Sequence, residues 1–245
     1  MDARAHLNRV KTIGTGLSFI VFPLIWVFAF AVHPDLLHPR LMLDAKALIL
    51  RAHGDTMLQL GHALVTLNAA LLVFLTLHYL KLLEHTPAAG FGLAGAAIAV
   101  LGACMLAADK GALCLTMSAL DTLPDKQFDR MMPGLIAIFS FKGWMVLVWG
   151  IVLMPVGVLI QLAGMLKAHV LPRWQLILLF PSIALIGFPD GAEIINLTAA
   201  MGMATAMVAY GVTLITHTHR LDRPTARHDA ARHADATDHL RAARA

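Results

Sequence analysis

The strongest constraint on this chain is a set of long segments that contain almost no charged residue. Residues 13–32 form an unbroken stretch without a charge or a histidine. As a helix rising 1.5 Å per residue, this stretch would cross a hydrocarbon core of roughly 30 Å. Six such segments are predicted, with these bounds: 13–32, 57–83, 88–108, 134–166, 172–188 and 194–216. The sequence therefore predicts an all-α, polytopic integral membrane helix bundle of about six transmembrane helices.

Composition excludes the main alternative classes. Of the 245 residues, 58% are hydrophobic and only 14% are charged, whereas soluble domains carry about 25% charged residues. This deficit excludes a water-soluble fold and a disordered chain, and the 2 cysteines are too few for a disulfide-stapled module. A net charge of +4 would suggest nucleic-acid binding in a soluble protein. Here the positive net charge is explained by the excess of Lys and Arg on the cytoplasmic side in the predicted membrane orientation, and no nucleic-acid partner is expected.

The distribution of Lys and Arg predicts the orientation. Six spans with both termini inside place twelve of the 19 cations in the cytoplasm and six outside, with Lys142 left within or just above the fourth span. This bias follows the positive-inside rule and is typical of a multi-pass protein of a bacterial-type inner membrane. The polar residues 217–245 are predicted to form a disordered cytoplasmic tail. Cleavage after a signal peptide within residues 1–31 is left open.

Two of the predicted spans have distinctive features. Segment 134–166 would measure about 50 Å as a straight helix, so part of it must protrude, tilt or break, and Pro155 offers a kink. Segment 88–108 repeats small residues at three- and four-residue spacing, which lets another helix approach closely in lipid. A packed central helix or a homo-oligomer contact would use this face.

The unusual polar residues concentrate at the outer ends of the predicted helices. Asp55, Gln59 and His62 follow helical spacing and share one face of the second span. Asp109 closes the third span on the same side, and Lys142 belongs to the fourth. Glu193 and Asn196, three residues apart, share a face at the start of the sixth. Polar groups in hydrocarbon usually face a bundle interior or a wet cavity, so we expect one shared polar pocket.

We assign candidate roles in this pocket by side-chain chemistry. His62 is the candidate proton carrier, with Glu193 and Asp55 as acid or base and Lys142 as the charge that tunes them. The candidate binding residues are Gln59, Asn68, Asp109 and Asn196.

Each of these assignments has a structural alternative. Asp55 can cap a helix, His62 can make a helix-packing hydrogen bond, and Lys142 can extend to the membrane interface. Asn68 and Asn196 can bridge neighbouring helices.

The cofactor is left open, with haem on His62 as the candidate. Several histidines fall on the outer side, but their spacing matches no compact ligand set, so no metal site is predicted. The spacing of His62 and Asn68 resembles the haem-ligating helix of styrene oxide isomerases. This resemblance extends to two residues, and the chain has two more predicted spans than that family, so no family is assigned.

These features predict a membrane protein whose outward-facing pocket binds a small lipid-soluble molecule and transforms it by acid-base or haem-assisted chemistry, as an isomerase or an oxidoreductase. A proton-coupled transporter, or a transporter subunit, is the first alternative. The second is an assembly or accessory protein without turnover. The lipid bilayer and the small molecule are the expected partners.

Overall fold

The computed structural model describes residues 3–34, 36–37, 39, 44–139, 149–186 and 192–221. Within them the chain forms eight helices and no strand, which confirms the all-helical class. The helices are α1 (Ala3–Ala31), α2 (Ala45–Ala52), α3 (Thr56–Leu83), α4 (Ala89–Leu120), α5 (Asp125–Phe139), α6 (Trp149–Ala168), α7 (Arg173–Leu185) and α8 (Glu193–Leu221).

Four helices are long and apolar enough to cross a membrane: α1, α3, α4 and α8. Two shorter apolar helices, α6 and α7, accompany them. The 13 residues of α7 rise about 20 Å, which is less than the hydrocarbon thickness of a bilayer. The composition and length of these helices indicate a helical membrane protein.

Six helices close into a ring in the order α1, α3, α4, α6, α7 and α8, with α8 returning to α1. Neighbours in the ring run antiparallel. Gly16, in the first half of α1, packs on Gly211, in the second half of α8, and Gly61, near the start of α3, packs on Ala29, near the end of α1. We call the end of the ring where α1 ends and α3 and α8 begin the upper end. Because neighbouring helices alternate in direction, the turns after α1, α2 and α4 all lie at the upper end.

The α4–α6 contact depends on glycine. A methyl group on Gly102 would overlap the backbone of Met154, and one on Gly157 would overlap the backbone of Ala99. The small-residue face predicted in 88–108 is therefore buried against α6 of the same chain. Homo-oligomerisation stays a prediction. An oligomer contact through these small residues would require α6 to move away from them.

Two buried amides join helices across the ring. The Asn68 side chain donates to the carbonyl of Phe22 at 2.9 Å, connecting α3 to α1. The Gln161 side chain donates to the carbonyls of Thr76 at 2.9 Å and Gly92 at 3.2 Å, connecting α6 to α3 and α4. Such bonds stabilise helix association where no water competes.

A second, smaller core covers the upper end. Ile49 and Ala52 of α2 pack with Phe128 and Leu135 of α5 and with Met117, near the end of α4. Asp44 caps α2 by accepting the amide of Lys46 at 3.2 Å. These two amphipathic helices lie against the ring rather than within it.

The helix bounds differ by five residues or more from the predicted span bounds at four places. α1 begins at Ala3, ten residues before the predicted span 13–32. α4 continues past residue 108, through Asp109 and Lys110, to Leu120, because no helix breaker interrupts it. Within the predicted span 134–166, α5 ends at Phe139 and α6 begins at Trp149. α8 extends to Leu221, so residues 217–221 of the predicted tail are helical, and residues 222–245 lie outside the described residues.

We predict that Gly102→Ala lowers the free energy of unfolding by about 1–3 kcal/mol, the usual cost of overpacking. Gly90→Ala is the matched control, because a methyl group there meets no atom within 4 Å and the substitution favours the helix. Thermal denaturation in detergent, followed by circular dichroism, measures both. Equal melting temperatures for the two variants would contradict the backbone contact between α4 and α6.

Candidate functional site

A buried carboxylate marks the upper end of the ring. Glu193, the first residue of α8, is only 2% exposed. Its Oε1 lies 3.4 Å from Nδ1 of His33 and 3.8 Å from Nη1 of Arg51, and its Oε2 accepts from Nδ2 of Asn196 at 3.2 Å. A buried carboxylate is costly unless it is paired and hydrogen-bonded. Groups from α8, from α2 and from the turn after α1 meet this requirement.

His62 adjoins this carboxylate through His33. The two imidazole rings make an edge-to-face contact with centroids 5.6 Å apart. Lys110 is close enough to act on His62 electrostatically, and its ammonium lies 3.3 Å from the carboxylate of Asp109. We call His33, Arg51, His62, Glu193 and Asn196 the polar cluster.

The fold positions each member by a local contact. His62 lies just inside α3, whose start is fixed by Asp55: the Asp55 carboxylate accepts the amide of Leu58 at 2.9 Å. Arg51 Nη2 donates to the carbonyl of Pro34 and so ties α2 to the turn that carries His33. Asn196 follows Glu193 by three residues and therefore lies on the same face of α8.

The arrangement is suited to proton transfer. His33 lies between a second imidazole and a carboxylate, and imidazole can both donate and accept a proton near neutral pH. The guanidinium of Arg51, which stays protonated, offsets the charge of Glu193. The polar cluster therefore brings the imidazole of His33 next to the Glu193 carboxylate and the ring of His62 next to His33.

A separate set of hydrogen bonds joins two turns of the upper end. Asp121, at the end of α4, lies 2.5 Å from Nδ1 of His53, accepts the side chain of Gln59 at 2.5 Å and accepts the amide of Gly54 at 3.1 Å. The His53 ring stacks on Phe128 at 3.9 Å. We call His53, Gly54, Gln59 and Asp121 the turn clasp.

The backbone conformation of Gly54 and the charge of Asp121 both favour the hydrogen bonds of the turn clasp. Gly54 has a φ of +71°, a conformation that residues with a Cβ adopt only at a cost. Partial burial alone would raise the pKa of Asp121. The hydrogen bonds from Gln59, Gly54 and His53, together with the charge of His53, outweigh burial and hold that pKa below its usual value. The carboxylate therefore stays ionised.

The structure distributes the eight predicted site residues among several places. His62, Glu193 and Asn196 belong to the polar cluster, whereas Gln59 belongs to the turn clasp. Asp55 caps α3, Asn68 bonds to α1, and Asp109 pairs with Lys110. Lys142 lies outside the described residues. These placements favour the structural alternatives for Asp55 and Asn68.

Sequence reasoning assigned no role to His33 and Arg51. His33 is one of the histidines predicted on the outer side, whose spacing matches no ligand set, and Arg51 is one of the six cations predicted outside. Their contacts with Glu193 join residues more than 140 positions apart in the chain, and no local pattern encodes such a contact. The one available signal was their common side of the membrane.

The described residues contain no group of three or more His, Cys, Asp or Glu side chains that could hold a metal ion. Haem on His62 therefore stays a prediction that rests on a single imidazole. No family model, no curated protein and no solved structure matches this chain. The function has to be inferred from the geometry of the polar cluster.

We predict that Asp121→Asn destabilises the upper end by about 1 kcal/mol, the difference between charge-assisted and neutral hydrogen bonds after allowance for partial solvent exposure. Because folding lowers the pKa of Asp121, its stabilisation is present above the ordinary value of 3.8 and is lost as the pH falls through the lower folded value. Asp129→Asn, an exposed site on α5, is the control. Melting temperatures measured from pH 7 to pH 2 should differ most between the variants at pH 7, and the difference should shrink as the pH falls below 3.8. A constant difference would contradict the role of the carboxylate.

Proposed function

We propose that the six ring helices cross a bacterial-type inner membrane, with both termini in the cytoplasm and the upper end facing outward. The ring supplies an even number of crossings, which returns the chain to the side where it began. The helix ends next to the lower turns carry Lys81, Lys167 and Arg173, in agreement with the positive-inside rule.

Reporter fusions test this topology. Alkaline phosphatase fused after Thr86 or after His169 should be inactive, because both turns belong to the lower end, whereas a fusion after Thr122 should be active. Green fluorescent protein at the same positions should give the complementary pattern. An active phosphatase after His169 would contradict the crossings of α6 and α7.

We propose that the polar cluster binds a small lipid-soluble molecule and transforms it by acid-base chemistry. The observation that carries this proposal is the burial of Glu193 at 2% exposure, with His33 between it and His62. Ionisable groups inside a membrane protein are expensive and usually mark a functional site. A bundle that needed only packing would be expected to bury apolar residues here.

The roles follow from position. His62 takes a proton from the bound molecule, His33 relays it to Glu193, and a proton returns by the same route to another atom of the molecule, so that the cluster regains its starting protonation. Arg51 and Asn196 hold the Glu193 carboxylate in place. Internal proton transfer of this kind suits an isomerase. Oxidoreduction would need haem on His62 as the additional group.

His62→Ala and Glu193→Gln should each lower turnover by about 10²–10⁴-fold, the usual contribution of a general acid or base. His85→Ala, an exposed histidine in the lower turn after α3, should leave it unchanged. The substrate is first obtained by solvent extraction of the purified protein and mass spectrometry of the extract. Turnover is then measured as deuterium uptake from heavy water into that molecule.

Two results of this experiment would overturn the acid-base proposal. One is wild-type deuterium uptake by His62→Ala that inserts and melts normally. The other is an absence of uptake in the wild-type protein with any extracted molecule. A Soret absorbance band that disappears in His62→Ala would instead select the haem-assisted form of the proposal.

A proton-coupled transporter is the second candidate function, and one observation favours it. The ring encloses a small apolar cavity below the polar cluster, with Val158, Ile183 and Met203 in its lining, at a depth that a transported molecule has to cross. A transporter would move the extracted molecule into proteoliposomes without incorporating deuterium.

A further inference from the structure

The ion pair between Arg51 and Glu193 depends on a helix that lies outside the ring. Arg51 belongs to the last turn of α2, and its Nη1 lies 3.8 Å from Oε1 of Glu193. α2 has only 8 residues, and isolated helices shorter than about 12–15 residues are marginally stable in water. The position of the guanidinium therefore depends on the contacts that hold α2 in place.

The turn clasp holds the end of α2 that carries Arg51. His53, two residues further along the chain, is the C-cap of α2, and its Nδ1 lies 2.5 Å from Oδ1 of Asp121. The Gln59 side chain donates both to Oδ2 of Asp121 and to the carbonyl of Ala52, the last residue of α2, at 3.2 Å. The Asp121 carboxylate is thus hydrogen-bonded to the C-cap directly and to the last residue of α2 through one amide.

The clasp joins this end of α2 to two ring helices. Asp121 is the C-cap of α4, and Gln59 belongs to α3. The His53 ring also stacks on Phe128 of α5, with centroids 3.9 Å apart and an angle of 17° between the ring planes. The bond from Arg51 to the carbonyl of Pro34 joins the guanidinium to the turn after α1, but it does not join α2 to α3 or α4. A change at Asp121 should therefore be felt at Arg51.

We propose that Asp121 is a positioning residue of the polar cluster, whose carboxylate fixes the end of α2 and so keeps the Arg51 guanidinium against Glu193. Coulombic attraction weakens with distance, and a buried carboxylate that loses its cation is strongly disfavoured. A displacement of α2 would therefore change the surroundings of Glu193. The inference rests on the proposed function for the part that Glu193 takes in turnover, but the positioning itself requires no turnover.

The composition of the chain offers a direct measurement at Glu193. The sequence contains two Glu residues, and the other is Glu84, which is exposed in the lower turn after α3. With carbon-13 in the Glu side-chain carboxyl groups, NMR of the full chain in lipid nanodiscs gives one signal from the polar cluster and one internal reference. Glu193→Gln assigns the two signals.

The variants separate an effect through Arg51 from a general one. Arg51→Gln removes the guanidinium and defines the full change in the Glu193 chemical shift. Asp121→Ala should move the Glu193 signal in the same direction, by at least half as much, and leave the Glu84 signal in place. Adding Asp121→Ala to Arg51→Gln should cause no further change, because residues that act through one another are not additive. Asp129→Ala, at an exposed site on α5, is the control and should move neither signal.

Two results would overturn the inference. One is a Glu193 signal that stays at its wild-type position in Asp121→Ala. The other is a double variant in which the changes of the two single variants add. If Asp121→Ala does not fold, His53→Phe replaces it, because Phe keeps an aromatic ring against Phe128 and removes the nitrogen that meets Asp121. The same change in the Glu193 signal is then expected.

The proposed function and this inference fail separately. In the deuterium-uptake measurement, Asp121→Ala should lower turnover by up to about 10²-fold, the cost of a small misplacement at a reacting site. Lowered uptake together with a moved Glu193 signal would support both proposals. A moved signal without any wild-type uptake would leave only the positioning inference. Wild-type uptake with an unmoved signal would leave only the acid-base function.

Discussion

The backbone-to-backbone approach of α4 and α6 is the contact on which the rest of the structure depends. Gly95 of α4 faces Gly157 of α6, and Gly102 of α4 faces Met154 of α6. At each of the three glycines a methyl group would overlap the opposing backbone. Lipid tails are as apolar as leucine side chains, so close packing rather than a hydrophobic driving force holds such helices together. This approach closes the ring, and a closed ring is what gives the bundle an interior in which polar groups can be kept from lipid.

The interior is used in two different ways along its length. Near the middle, amides from Asn68 and Gln161 donate to backbone carbonyls of neighbouring helices and carry no charge. At the upper end, Glu193 requires the guanidinium of Arg51 and the imidazole of His33, which come from outside the ring. A charged group is tolerated where loops and α2 can reach it, and a neutral amide suffices where only helices are present. The position of the polar cluster is therefore a consequence of where the chain leaves the ring.

Much of the helical framework could be predicted from the sequence, because apolar length is a local property. The predicted segment 57–83 corresponds to α3 and the segment 194–216 to α8, each within a few residues at the upper end. The length of 134–166 predicted that this segment protrudes, tilts or breaks, but its continuous apolar pattern did not locate the end of α5 at Phe139 or the start of α6 at Trp149. For the site, helical spacing grouped Gln59 with His62, yet Gln59 turns to Asp121 while His62 faces His33. Spacing fixes the face of a helix, whereas the partner on that face depends on tertiary contacts that a single sequence does not contain.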